Sequence, residues 1–191
     1  PVRQQIEIIC EGLNVAWRRL DQPGGLMTGA EKARAQAHFI QSQWASVDIS
    51  PPESLKEQAL AFTKAREQAY EPSKSVLVHG DAHTWNTLSC HEAGSATPQF
   101  KFVDPDGLFA EPACDLAISL REWREELLAG NTLELGQARC ALLSELTNVD
   151  AEAIWQWGFI EHVSCGLLDV QLGDTKSANE HFAIAQCWLD A

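Results

Sequence analysis

The sequence predicts a mainly α-helical domain that contains one small β-hairpin, and three observations lead to this fold class. Apolar residues recur at helical spacing in seven segments, which is the pattern of amphipathic helices. Two short apolar runs, at 76–78 and 100–103, are too short for helices and indicate buried strands. With 191 residues, of which 45% are hydrophobic and 21% charged, the chain can bury one sizeable core.

Three helices are predicted ahead of the first strand. The first spans 3–20 and ends at the breaker sequence DQPGG, and the second spans 31–44. The sequence SPPES has the form of a capping box from Ser50 to Glu53, with Pro51 at the first helical position. It predicts a third helix that continues to about residue 70.

Four more helices are predicted after the hairpin. Regular apolar spacing marks helices over 112–128 and 133–146, and a Gly-Asn pair ends the first of them. Asp150 is the predicted N-cap of a long and very apolar helix. Asp174 begins the last helix, which ends near residue 189. The sequence therefore predicts about seven helices.

The polar residues of greatest chemical interest lie beside the predicted hairpin. The first strand stops at Gly80 within HGDAHTWN, so a loop presents Asp81 and, five positions later, Asn86. A short strand at 87–89 and the run at 100–103 form the hairpin, and the second of these strands ends at Asp104. The hairpin would hold Asn86 and Asp104 near each other, as a shared metal ion requires.

These three side chains suit metal-assisted phosphoryl transfer. That chemistry needs an acidic residue to orient a hydroxyl and accept its proton, and hard oxygen ligands to hold Mg²⁺ against nucleotide phosphates. Asp81 is the candidate base, and Asn86 and Asp104 are the candidate metal ligands. The same D-x-x-x-x-N spacing, followed by a later metal-binding Asp, occurs in the catalytic loop of protein kinases. Each residue alone is compatible with a simple turn, and the three together favour the functional interpretation.

HGDAHTWN followed by VDPD resembles the catalytic core of the aminoglycoside phosphotransferase and choline kinase-like superfamily, which is similar to protein kinases. The continuation DPDGLFAEPACDLA resembles the streptomycin 6-phosphotransferase and hydroxyurea-resistance kinase branch. The resemblance implies the C-terminal lobe of a protein kinase-like α+β fold, with ATP as co-substrate, Mg²⁺ as cofactor and an aminoglycoside as the first candidate acceptor. No Gly-rich strand-turn-strand or V-A-I-K-like lysine precedes residue 75. We therefore expect residues 1–191 to form this lobe without the N-terminal nucleotide-binding lobe.

The resemblance also implies supporting roles around the loop. His79 would brace it, His83 belongs to an HGD-x-H variant, and Asp115 resembles the aspartate that hydrogen-bonds the loop backbone. A zinc site made by the two histidines is disfavoured, because the strand and the glycine beside them argue against a shared helix face. Asp106 contacts metal or substrate or, the interpretation we favour, forms a turn. Trp85 packs beneath the loop or lines the acceptor pocket.

The formal net charge of −13 bears on possible partners. It argues against nucleic acid, whose phosphates bind Lys and Arg patches. It would attract a cationic acceptor, and four acidic residues are candidates to face one: Glu122, Glu126, Glu161 and Asp169. An acidic protein without any such steering is the plain alternative.

Two further observations concern the cellular environment. No apolar run approaches the ~20 residues that cross a bilayer, and the six cysteines lie far apart without a C-x-x-C pair. We therefore expect no membrane partner and buried free thiols in a reducing cytoplasm. Three alternatives to an aminoglycoside kinase stay open: a kinase of another small acceptor such as choline, a sugar amine or homoserine; a non-catalytic, kinase-derived binding module; and a helical metal-binding or scaffold protein.

Overall fold

The computed structural model describes residues 1–46, 51–90 and 99–189, and within these ranges it contains eight α-helices and four short β-strands. The helices are α1 (Val2–Ala16), α2 (Gly29–Trp44), α3 (Glu53–Gln68), α4 (Ala113–Arg121), α5 (Arg124–Leu128), α6 (Thr132–Thr147), α7 (Ala151–Gln171) and α8 (Thr175–Trp188). The strands are β1 (Val76–Val78), β2 (Thr87–Cys90), β3 (Gln99–Phe102) and β4 (Leu108–Ala110). The mainly helical prediction is confirmed. Among the described helices, none has the length and apolar character needed to cross a membrane.

The strands form two antiparallel pairs. The predicted hairpin is present as β2 and β3, with Thr87 opposite Phe102 and Cys90 opposite Gln99. The second pair joins β1 to β4, with Val78 opposite Leu108. The sequence did not predict β4, which is three residues long and lies in the segment that follows the DPDG turn. The chain between the paired strands therefore crosses twice from one pair to the other, once at 79–86 and once at 103–107.

The core of the domain is built around α4 and α7. Every residue from Ala113 to Leu120 in α4 is buried, and α7 packs against α2, α3, α4, α6 and α8. Gly158 of α7 lies directly against the side chain of Leu120, so that a Cβ at this position would collide with it. The close approach of α4 to α7 fixes the position of the elements that follow β4, including the end of α4 beside the loop at 79–86.

Two helix boundaries differ from the prediction. The first helix ends at Ala16 rather than 20, because the backbone carbonyl of Arg18 accepts a hydrogen bond from the Leu77 amide at 2.7 Å and the chain is extended there. The third helix begins at Glu53 with Pro52 as its N-cap, so Pro51 is not its first helical residue. The proposed cap Ser50 lies outside the described residues.

The single helix predicted over 112–128 is in fact two helices. Trp123 separates α4 from α5 with φ of 51°, a left-handed conformation that helices do not contain. The predicted N-cap at Asp150 is confirmed, because its side chain accepts a hydrogen bond from the Glu152 amide. Asp174, the predicted start of the last helix, is the N-cap of α8 and accepts from the Ser177 amide.

All six cysteines are free thiols. The prediction of buried thiols is confirmed for Cys10, Cys114 and Cys140 and is wrong for Cys187, which is exposed.

Candidate active site

A fully buried carboxylate, Asp115, holds the start of the loop that follows β1. Its Oδ1 accepts a hydrogen bond from the Gly80 amide at 2.7 Å. Its Oδ2 accepts two more at 2.9 Å, from the His79 amide and from Nε1 of Trp17. Asp115 has no exposed surface, so these three donors replace the water that its charge would otherwise bind. The result is a loop backbone fixed to the first turn of α4.

Gly80 has a conformation and surroundings that only glycine tolerates well. Its φ is +90°, and a Cβ added there would lie 2.9 Å from the Cβ of Asp106. Asp106 itself is exposed in the turn after β3, and the amide of Gly107 donates to the carbonyl of His79 at 3.0 Å. The DPDG turn thus packs directly on the HGD segment.

Asp81 presents its carboxylate at the surface, with its side chain 33% exposed. Its Oδ1 accepts from Nη2 of Arg121 at 3.2 Å. Its Oδ2 lies 3.2 Å from Nε2 of His83 and 3.4 Å from Nδ2 of Asn86. The same Asn86 nitrogen donates to the Asp81 carbonyl at 3.0 Å. Three side chains therefore restrict the orientation of this carboxylate without covering it.

The two histidines of the loop contact different groups. Nδ1 of His79 accepts from the Asp81 amide at 3.2 Å, so its Nε2 carries the proton and donates to the carbonyl of Val103 at 3.0 Å. Nδ1 of His83 accepts from the Trp85 amide at 3.1 Å, which leaves its Nε2 to donate to Asp81. Neither residue is on an α-helix. In the described part of the chain, no group of three or more His, Cys, Asp or Glu side chains could hold a metal ion.

Asn86 and Asp104 lie on the two crossings, which a backbone hydrogen bond joins at Asn86 and Val103. The carbonyl of Asn86 accepts from the amide of Val103 at 3.0 Å, and Asp104 is the next residue. Because the Asn86 amide nitrogen is used by Asp81, its amide oxygen remains available as a ligand. Asp104 is exposed and has φ of 57°. One carboxylate and one amide oxygen fit Mg²⁺, which keeps several waters and binds substrate phosphates at its other positions.

Comparison with known proteins agrees with this chemistry. The model of the phosphotransferase enzyme family, APH, matches residues 13–151, which include the loop, the hairpin and α4. The chain belongs to this family. No curated protein and no solved structure matches the chain. Membership implies a kinase-type enzyme that uses ATP as co-substrate and acts on a small molecule.

Trp85 is 84% exposed. It therefore does not pack beneath the loop, which was one of the two expectations for it. Its ring is at the surface, and the residue lies in the same loop as Asp81, directly before Asn86.

Three of the four acidic residues considered for a cationic acceptor have partners within the chain itself. The carboxylate of Glu122 accepts from the Thr84 amide at 2.9 Å, and Glu126 pairs with Arg139 at 2.6 Å. Asp169 differs, because its Oδ2 is buried and has no hydrogen-bond partner among the described residues. Glu161 is 4% exposed and pairs with both Lys32 and Arg121. The expectation that Glu161 faces an acceptor is therefore wrong.

Glu161 is ionised despite its burial. Burial raises the pKa of this carboxyl, but the charges of Lys32 and Arg121 outweigh that effect and leave its pKa below the ordinary value. Neither cation was singled out from the sequence. Arg121 lies four positions after Ala117, on the apolar face of a predicted helix. A charged residue on an apolar face is unusual, and this signal could have identified Arg121 from the sequence.

Proposed function

We propose that this chain is the catalytic-loop and substrate-binding lobe of an ATP-dependent kinase that phosphorylates a hydroxyl group of a small molecule. Family membership supports the reaction class. The observation that supports the site is the position of Asp81, Asn86 and Asp104, which lie on the two crossings between the strand pairs. In this proposal Asp81 orients the acceptor hydroxyl and accepts its proton.

Asn86 and Asp104 would hold the Mg²⁺ ion. When bound, the ion would neutralise charge on the nucleotide phosphates. The protein's own contribution is to orient the ligands: the Asn86 amide nitrogen is engaged by Asp81, and the backbone bond from Val103 to Asn86 fixes the spacing to Asp104. His83 and Arg121 hold the Asp81 carboxylate in one orientation while it receives the proton.

An aminoglycoside of the streptomycin type is our first candidate acceptor. The DPDGLFAEPACDLA segment supports it by resemblance, and the net charge of −13 would attract a polycation at long range. The internal pairing of Glu161 weakens the local part of this argument, since it removes one carboxylate from any acceptor pocket. Choline, sugar amines and homoserine are the comparison acceptors.

The test uses the full-length gene product with γ-labelled ATP, Mg²⁺ and this acceptor panel. Asp81→Asn is expected to lower kcat by about 10²- to 10⁴-fold, the usual range for a general base, with unchanged affinity for Mg²⁺-ATP. Asn86→Ala is expected to raise the Mg²⁺ concentration needed for half-maximal rate. Asp150→Asn is the matched control, because it makes the same chemical change at an N-cap that asparagine preserves.

Two results would count against the proposal. Undiminished turnover in Asp81→Asn would show that this carboxylate is not the base. Absence of both Mg²⁺-ATP binding and transfer to every acceptor, with the wild-type protein folded, would favour a non-catalytic binding module.

A further inference from the structure

Arg121, the last residue of α4, connects Asp81 to the buried core. Its Nη2 donates to Oδ1 of Asp81 at 3.2 Å. Its Nη1 donates to Oε2 of Glu161 and to Sγ of Cys165, both at 2.9 Å. The guanidinium is planar and rigid, so fixing one nitrogen on α7 also fixes the direction in which the other points. The Arg121 side chain is 21% exposed.

Glu161 is the anchor for Arg121. It is buried on α7. Two residues of α2 contact its Oε1, each at 3.4 Å: Lys32 through Nζ and Gln36 through Nε2. Its other oxygen is the one that Arg121 contacts. Two cations around one buried carboxylate keep Glu161 charged and leave it no freedom to turn away. Glu161 thereby joins residues of three helices, α2, α4 and α7.

The contacts of the Asp81 carboxylate indicate what Arg121 contributes. A carboxylate offers about four acceptor positions, two on each oxygen. His83 and Asn86 contact Oδ2, and Arg121 contacts Oδ1. One position on Oδ1 then remains for an incoming hydroxyl, on the oxygen whose direction Arg121 determines. The charged and titratable groups around Asp81 are His83 of its own loop, Arg121 of α4 and, beyond it, Glu161 and Cys165 of α7 and Lys32 of α2.

We propose that Arg121 is the positioning residue for the catalytic base Asp81, and that Glu161, itself held by Lys32, anchors Arg121 for this purpose. The inference rests on the proposed function only in taking Asp81 as the base. Arg121 would not touch the phosphates or the metal ligands, so its loss should slow turnover without weakening nucleotide binding.

The central variant is Arg121→Lys in the full-length protein. A lysine keeps the charge and the pairing with Glu161, but its single nitrogen cannot also reach Asp81. We expect kcat to fall about 10- to 100-fold, the effect of a small misplacement of a reacting group, with KM for Mg²⁺-ATP and the melting temperature nearly unchanged. Arg124→Lys is the matched control: Arg124 is also a multiply bonded, partly buried arginine, but it contacts Glu180, His181 and Ser177 of α8 and no loop residue.

A second variant tests the same point by chemical rescue. Arg121→Ala leaves a space shaped for a guanidinium, so millimolar guanidinium should restore part of kcat in this variant and none in Arg124→Ala. A folded Arg121→Lys protein with wild-type kcat would overturn the proposal. So would a loss of kcat accompanied by an equal rise in KM or by unfolding, because that would indicate a purely structural role.

A readout without turnover separates this inference from the proposed function. The carboxyl ¹³C resonance of Asp81, assigned by its absence in Asp81→Asn, should move in Arg121→Lys and stay in place in Arg124→Lys. If the wild-type protein phosphorylates no acceptor, the proposed function fails while this measurement still decides whether Arg121 orients Asp81. An unchanged resonance in Arg121→Lys would overturn the positioning role.

Discussion

Replacing Asp115 with asparagine is the most direct test of how the loop is held. The substitution keeps the shape of the side chain but converts one acceptor oxygen into a donating amide. In the better of its two orientations, the remaining oxygen takes the place of Oδ2 and keeps the bonds from the His79 amide and Trp17. The new NH₂ group then faces the Gly80 amide, and two donors oppose each other in a fully buried position.

The cost follows from these contacts. A buried donor left without an acceptor costs about 1–3 kcal/mol, and the two retained bonds each lose roughly 1 kcal/mol because their acceptor is no longer charged. Asparagine regains part of this because burying a neutral group is easier than burying a carboxylate. We expect Asp115→Asn to lower the free energy of unfolding by about 2–4 kcal/mol, which corresponds to a fall in Tm of roughly 4–16 °C for a chain of this size.

Urea denaturation and amide hydrogen exchange measure both parts of this effect. Trp17→Phe is the control, because it removes one of the three donors and leaves the carboxylate with two; we expect a loss of about 1 kcal/mol. The hydrogen-exchange rate of the Gly80 amide should rise in Asp115→Asn and stay at the wild-type value in Trp17→Phe. Stability within about 0.5 kcal/mol of wild type, the scatter of neutral surface changes, would refute the argument, and so would full protection of the Gly80 amide.

Three further predictions concern stability. Gly80→Ala should cost about 2–5 kcal/mol in urea denaturation, since a positive φ is unfavourable for alanine and its Cβ would lie 2.9 Å from that of Asp106; a loss below about 1 kcal/mol would mean that the turn yields easily. Burial lowers the pKa of His162 well below its ordinary value and that of His181 to about 3, so both rings are neutral when folded. The contribution of these neutral histidines to the free energy of unfolding should be complete above about pH 6.5. Below that pH it should fall as acid protonates the unfolded chain, by up to about 1.4 kcal/mol per histidine per pH unit. A free energy of unfolding that rises on acidification from pH 7 to 5 would contradict this prediction. Thr28→Ala should cost about 1 kcal/mol by removing the capping box of α2, and Thr28→Ser should restore most of it.

Local patterns predicted the helices and the hairpin well, because both depend on spacing within a short stretch of chain. The same patterns missed β4, whose partner Val76–Val78 lies some thirty residues earlier and whose own three residues carry no alternation. They also missed the break at Trp123. Tryptophan rarely takes a left-handed conformation, and this one does so where its Nε1 bonds Gln5 of α1 and its ring lies over Arg139 of α6.

In the candidate site, too, the sequence identified residues that a local motif marks and missed those that only tertiary packing brings together. Asp81, Asn86 and Asp104 were identified because their order along the chain carries the chemistry. Arg121 and Lys32 were not, since each pairs with Glu161 and the three residues come from three different helices. Glu161 itself was noticed but assigned to the surface, because the charge of a glutamate suggests exposure and only tertiary packing reveals the two cations beside it.

The two strand pairs have a consequence for how this chain can change in length. Both proposed metal ligands lie on short segments that begin and end in a paired strand, so the pairing of residues across each ladder determines how far Asn86 lies from Asp104. One residue added to or removed from either crossing would shift a ligand by about 3.3 Å, the rise of a strand, whereas Mg²⁺ accepts ligands only near 2.1 Å. We therefore expect related sequences to keep Gly80, Asp81, Asn86 and Asp104, to vary in other side chains of 79–86 and 103–107, and to keep the number of residues in both segments.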